Sequence, residues 1–273
     1  MLWEHVFESS ELTSARRAQL ALAVGGLRSG RVERGEVPGG TDIPAGDVVG
    51  GGPVPLLAPL APLLPQGLRR GDVAVVATRE VGPDFLTLAL LAGGLTAGLW
   101  CAAVGVADLG GIALAELFRC RREVLERLLV VPRPGENWVR AVEVLADGVD
   151  VILVRPPAQV PVGLRKRIEA RLRQGRAEGT AHRAALLVLG DWPGAVVTLR
   201  TVEAVWTGLS GVGPTAGTGQ LTGCKATVTA LGRATAGRPR VVRLWLPGPD
   251  GALAALADGP VRPVRGAPLT AVA

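Results

Sequence analysis

The feature that most constrains this chain is a succession of short, largely apolar runs and helix-length segments between residues 72 and 189. Val149-Asp150-Val151-Ile152-Leu153-Val154, bounded by Gly148 and Pro156, is the clearest run. Apolar residues at nearly every position, not every second one, mark a strand covered on both faces, as inside a parallel sheet. Strands are also predicted at Asp72–Thr78, Leu99–Val106, Leu128–Val131 and Ala184–Leu189. Helices are predicted at Asp84–Leu95, Ile112–Arg127 (broken near Phe118-Arg119-Cys120), Glu136–Ala146 and Val162–Arg176. Parallel neighbours need crossover connections, so this βαβα order places helices on both faces of the sheet.

After Trp192 the pattern changes. Val196–Trp206, Gly223–Leu231 and Arg240–Leu246 are strand-like and separated by Gly-rich turns, which suits antiparallel strands extending the sheet. Upstream, residues 9–29 read as a helix, with Ser10 and Thr13 as N-cap oxygens, Arg16 and Arg17 polar, and Leu20, Leu22, Val24 and Leu27 apolar. Residues 30–55 are rich in Gly, Pro and Asp and read as a linker. Leu56–Leu64, interleaved with prolines, is predicted to form a short irregular helix packed on the core. The expected organisation is an N-terminal helix and linker over 1–55, one core domain over 56–257 and a tail over 258–273. A chain of 273 residues is long enough for one substantial core.

From Phe85 to Ala107 the chain carries no charge over a length that could span a bilayer. Gly93-Gly94 and Gly98 interrupt it, and Trp100-Cys101-Ala102-Ala103-Val104 resumes with strand character, so helix, turn and buried strand is the reading adopted. Scattered Cys101, Cys120 and Cys224, with His5 and His182 the only histidines, fit neither a zinc site nor a disulfide framework. With no signal peptide in view, a cytoplasmic location is expected. The formal charge is +6, and Lys166 and Lys225 are the only lysines. That balance points to acidic partners, nucleic acid first, or to the Arg, Ala, Gly and Pro bias of a GC-rich genome.

Several segments bear on chemistry. The turn after the first core strand reads Thr78-Arg79-Glu80-Val81-Gly82-Pro83-Asp84-Phe85. A phosphate-binding loop needs several glycines, a Lys and a Ser/Thr. Here there is one glycine, no lysine and two carboxylates, and Pro83 removes an amide donor. Gly211-Val212-Gly213-Pro214-Thr215-Ala216 fits a loose dinucleotide pattern, but a strand and not a helix is expected after it, so Gly208–Gly223 reads as a strand connection. Gly208-Leu209-Ser210-Gly211 is no nucleophile elbow, because Val212 stands at the second glycine position. The segment carrying Arg165, Lys166, Arg167, Arg171, Arg173 and Arg176 is either a phosphate-contacting helix or a solvated face whose guanidinium stems cover apolar surface. At the tip of the Val149–Val154 strand stands Arg155, which cannot hold Mg²⁺, an ion that takes oxygen ligands.

Taken together, these segments resemble the RecA superfamily. Leu68-Arg69-Arg70-Gly71-Asp72-Val73-Ala74-Val75 is similar to the glycine-then-strand opening of its ATPase core, and Trp100-Cys101-Ala102-Ala103-Val104 to its second strand. Val130-Val131-Pro132-Arg133-Pro134-Gly135-Glu136-Asn137-Trp138 resembles the approach to the following helix, and Gly148–Val154 the strand whose tip bears the Mg²⁺-associated Asp. The likeness runs in order over about residues 63–251. It implies an α/β fold, a RecA-like, mostly parallel twisted sheet flanked by helices and extended by antiparallel strands, with an N-terminal helical extension. It also marks the ATPase positions as degenerate: Gly82, Pro83 and Asp84 in the phosphate turn, Ala107 where a water-activating Glu belongs, and Arg155 in place of the Asp. The segments Pro156–Pro161 and Gly190–Ala195 are too short for the DNA-binding loops of a recombinase.

A basic, degenerate chain of this size is similar to the ImuA-type accessory proteins of actinobacteria, on the Leu-rich helix after the phosphate turn and on residues 131–138. That resemblance implies no enzymatic activity, catalytic residue, cofactor or metal. It implies a protein–protein adaptor of the damage-induced (SOS) translesion-synthesis mutasome, whose partners are a Y-family polymerase-like subunit and an error-prone C-family DNA polymerase. The helix around Leu20–Leu27 and the tail after Gly251 are the expected contact regions. The alternatives are a DNA-binding regulator acting through the basic helix and a weak ATP-switched protein of DNA repair.

Overall fold

The computed structural model describes residues 52–77, 85–117, 122–157, 159–174, 183–210 and 218–256. The expected helix over 9–29, Gly82, Pro83, Asp84, Arg176 and the tail over 258–273 lie outside the described residues. The chain divides into two compact units, Met1–Asp47 and Val48–Ala273, and every described residue belongs to the second.

Among the described residues nine strands form one sheet. They are β1 (Val73–Ala77), β2 (Cys101–Val104), β3 (Leu128–Val131), β4 (Val151–Val154), β5 (Ala185–Leu189), β6 (Val197–Ser210), β7 (Thr218–Leu231), β8 (Arg240–Trp245) and β9 (Ala254–Ala255). Their order is β3-β2-β4-β5-β1-β6-β7-β8-β9. Pairing is parallel from β3 across to β6 and antiparallel from β6 to β9. The fold is therefore α/β, with a mostly parallel core extended by antiparallel strands, as expected. The helices are α1 (Phe85–Thr96), α2 (Gly111–Leu117), α3 (Arg122–Leu125), α4 (Trp138–Leu145) and α5 (Val162–Gln174). Helices α2 and α3 fall on the segment expected to be helical over 112–127, and the expected break near Phe118-Arg119-Cys120 lies outside the described residues.

Because the central strands are buried on both faces, their alternate residues feed two cores. Ala74, Val76, Cys101, Ala103, Val151 and Leu153 pack with α1 and with the 3₁₀ turn Ala61–Leu63. Val73, Val75, Ala102, Val104, Ile152 and Val154 pack with Trp138 and Val142 of α4 and with Ile168 and Leu172 of α5. Helix α1 is apolar almost all round and correspondingly buried from Leu86 to Leu95. Gly93 and Gly94 do not end it. A Cβ on Gly93 would come within 2.6 Å of the Pro55 carbonyl oxygen, so glycine there lets the preceding segment lie directly on the helix. That segment is part of the core rather than linker, a correction to the expected boundary: Val54 is buried and exchanges backbone hydrogen bonds of 2.7 and 2.9 Å with Leu68. Among the described residues no helix is long and apolar enough to cross a membrane.

Strands β6 and β7 are each 14 residues long. Strand β1 accompanies β6 only as far as Arg200, and β8 accompanies β7 only from Lys225, opposite Val205, so beyond Val205 the β6–β7 pair continues as a two-stranded ribbon. The strands run into the Gly-rich stretch expected to be only a connection, leaving 211–217 outside the described residues. Glycine is required where they do so: Gly208 has φ +99° beside a register shift between Thr207 and Leu209. At the base of this ribbon Trp206 meets Phe85, the first residue of α1, edge-to-face with centroids 6.1 Å apart.

Candidate functional site

In open parallel sheets, ligands bind outside the carboxyl ends of the strands, where the strand order reverses. That edge carries two of the positions expected to be degenerate, Ala107 and Arg155. Ala107 and Asp108 follow β2, and Arg155 follows β4 directly. Strands β2 and β4 are hydrogen-bonded neighbours, so the two segments emerge side by side. Arg155 donates from Nη1 to Asp108 Oδ1 at 2.8 Å, with both side chains partly exposed. Beneath them Gly105 has φ +73°, and a Cβ there would lie 2.6 Å from the Arg155 carbonyl oxygen. The backbone of one loop thus rests against the other, and only glycine fits. Asp108, beside the expected water-activating position Ala107, is thus paired with Arg155, the residue expected in place of a metal-associated Asp. Among the described residues no group of three or more His, Cys, Asp or Glu side chains is arranged to hold a metal ion.

The basic helix proves to be a paired surface. Isoleucine 168 and Leu172 seat α5 on the sheet. Arg167 bridges to Glu143 of α4 at 2.7 Å, and Arg171 pairs with Asp147 just beyond α4. Arg173 lies 3.7 Å from Glu169 one turn earlier, and Glu169 also accepts a hydrogen bond from the indole of buried Trp192 at 2.9 Å. Arg165 donates to the Pro193 carbonyl at 3.1 Å, and Lys166 is exposed. Arg140, Glu143, Asp147, Arg167, Arg171 and Gln174 line an open groove of mixed charge between α4 and α5. Three of the five described cations of this helix are thus paired with acids: Arg167 with Glu143 of α4, Arg171 with Asp147 in the turn after it, and Arg173 with Glu169 of α5 itself.

One arrangement was not anticipated from the sequence. Arg70, in the turn before β1, donates to Asp150 Oδ1 at 2.5 Å, with side chains only 6% and 13% exposed. Asp150 also accepts from the Trp100 backbone N–H at 2.7 Å, and Arg70 donates to the Gly52 carbonyl at 2.8 Å. This cluster ties the amino ends of β2 and β4 to the chain entering β1. The polar residue inside an otherwise apolar run was its one trace in the sequence.

The family model for the MT3502 N-terminal domain matches residues 62–194. Rv3395c of Mycobacterium tuberculosis (strain ATCC 25618 / H37Rv) is 32% identical over 178 residues, spanning 64% of this chain and 80% of that protein. The chain belongs to the MT3502/Rv3395c family. The matched segment of that family runs from the 3₁₀ turn through β5, so it includes Ala107, Arg155 and the described cations of α5 but stops before β6. Among solved structures, the flagellar accessory protein FlaH from Methanocaldococcus jannaschii superposes with a TM-score of 0.44 at 15% identity, covering 68% of this chain and 92% of FlaH.

Proposed function

We propose that this member of the MT3502/Rv3395c family is a non-catalytic RecA-like adaptor that works through protein contacts. The observation that carries the reading is the Arg155–Asp108 ion pair at the carboxyl edge of the sheet. A nucleotide-hydrolysing site there needs carboxylates facing Mg²⁺ and water. In this chain Asp108, at that edge, faces the guanidinium of Arg155 from the adjacent strand end. A sheet that has lost such chemistry keeps its surfaces, and those surfaces are what a partner binds.

The resemblance to ImuA-type proteins supplies the partners of the proposal: a Y-family polymerase-like subunit and an error-prone C-family DNA polymerase, acting together in damage-induced translesion synthesis. Two experiments test it. The melting temperature with millimolar Mg²⁺–ATP is expected to equal that without nucleotide, because a ligand selective for the folded state raises it. A rise of several degrees supports an ATP-switched protein instead. Affinity purification of the tagged full chain from damaged cells of its source is expected to recover the polymerase-like subunit or the polymerase. Recovery of neither removes the mutasome reading.

A further inference from the structure

Beyond β6 the sheet is covered on one face only. Val242 and Leu244 of β8 and Ala226, Val228 and Ala230 of β7 are buried in the core that includes α1. Side chains alternate along a strand, and directly paired residues share a face. The opposite face therefore carries three cross-strand rows fixed by the register. Arg200 pairs with Thr229, which pairs with Val241. Glu203 pairs with Thr227 and Thr227 with Arg243, and Val205 pairs with Lys225 and Lys225 with Trp245. None of these residues belongs to the hydrophobic core beneath α4 and α5, and Arg200, Lys225 and Arg243 are exposed around buried Thr227.

We infer that this open face is a binding platform for single-stranded nucleic acid. Charge complementarity selects a polyanion: three cations stand on the face against one carboxylate. That carboxylate, Glu203, accepts a 3.0 Å hydrogen bond from the Thr227 hydroxyl. Unlike Arg167, Arg171 and Arg173 of α5, none of the three cations forms an ion pair among the described residues. An aromatic ring lies among them. Trp245 is partly exposed, and the Lys225 ammonium sits 5.2 Å from its ring centroid. A sheet face with cations around a partly exposed indole offers phosphate contacts and, once the Lys225 side chain moves off the ring to a phosphate, a stacking surface to unpaired bases, whereas a duplex keeps its bases stacked away from such a ring. The platform lies in β6–β8, outside the segment shared by the family model, and it stands independently of the adaptor reading.

The test is fluorescence anisotropy of a labelled oligothymidylate with the full chain, repeated over a salt series. Single-strand binding has a log–log salt slope of about −0.7 per phosphate contact, so losing three contacts reduces the slope by about 2. The triple variant Arg200→Gln, Lys225→Gln, Arg243→Gln is expected to bind at least tenfold more weakly with that loss of slope. The α5 variant Lys166→Gln, Arg173→Gln is expected to bind as the parent does. Trp245→Leu is expected to weaken binding with the slope unchanged, the signature of lost stacking. Circular dichroism checks that the variants are folded; the triple variant alters only exposed side chains, so it remains decisive if Trp245→Leu is not. The proposal is overturned if the parent binds no oligothymidylate, if the triple variant binds as the parent does, or if the α5 variant accounts for the loss. It is equally overturned if duplex DNA or vesicles with anionic lipid bind more tightly than the single strand through the same three cations.

Discussion

Asp150 and Arg155 stand on either side of the four-residue strand β4, and each faces an oppositely charged partner at its own edge of the sheet. Asp150 holds Arg70 in a largely dry setting, whereas Arg155 meets Asp108 with solvent around both. The physical setting assigns them different roles. A buried, multiply hydrogen-bonded pair is costly to break from one side, because the remaining charge is left without water or partner. A partly exposed pair contributes about 0–1 kcal/mol, so its significance lies in what it prevents.

Removing Arg70 is therefore expected to be severe. Arg70→Met should destabilise the fold by about 3–5 kcal/mol, measured by urea denaturation. Replacing Asp150 as well, by Asn or Leu, should recover part of that loss. Arg155→Ala should cost about 1 kcal/mol or less. Equal losses for Arg70→Met and Arg155→Ala would contradict the assignment.

Gly105 and Gly135 provide a matched pair. Both have positive φ, +73° and +55°, but only Gly105 faces a neighbouring backbone, since nothing lies within 4 Å of a Cβ at Gly135. The conformational term alone is about 1–2 kcal/mol for any residue with a Cβ. Gly135→Ala should cost about that much in denaturant titration. Gly105→Ala should cost clearly more, because the β2 and β4 loops must separate.

Asp72, at the start of β1, has its carboxyl raised above the ordinary value by burial, partly offset by Arg69, Arg233 and Arg173. A raised carboxyl binds its proton more tightly in the folded chain than in the unfolded one. Its stabilising contribution is complete below the unfolded value of 3.8 and is lost as pH rises through the folded value. At neutral pH the ionised group burdens the fold. Asp72→Asn should raise the melting temperature at pH 7, and the advantage should shrink as pH falls toward 3.8. A difference that grows on acidification would refute this account.

Cys101 and Cys224 are both buried, and burial pushes both thiols above the usual range, with the charge of Asp150 adding to the effect at Cys101. The thiolate is the reactive species. Site-resolved mass spectrometry after iodoacetamide treatment at neutral pH should find neither modified in the native protein and both modified in urea.

The sequence by itself determined the βαβα order, the approximate placement of strands and helices, and the change to antiparallel strands after Trp192. Those features follow from local periodicity and from runs too apolar to be half-solvated, which short windows of sequence record. Positions 107 and 155 were also legible, because each lies at the end of a strand that the pattern locates. The partners of the charges were not. Arg70 and Asp150 are 80 residues apart, and Arg155 and Asp108 are 47 apart. Only the tertiary structure decided that Glu143 and Asp147 pair with Arg167 and Arg171 of α5, and that Arg200, Lys225 and Arg243 share an open face instead. The physical reason is that a charge is read locally in a sequence, while its energy depends on what other segments bring within a few ångströms and on how much water remains between them.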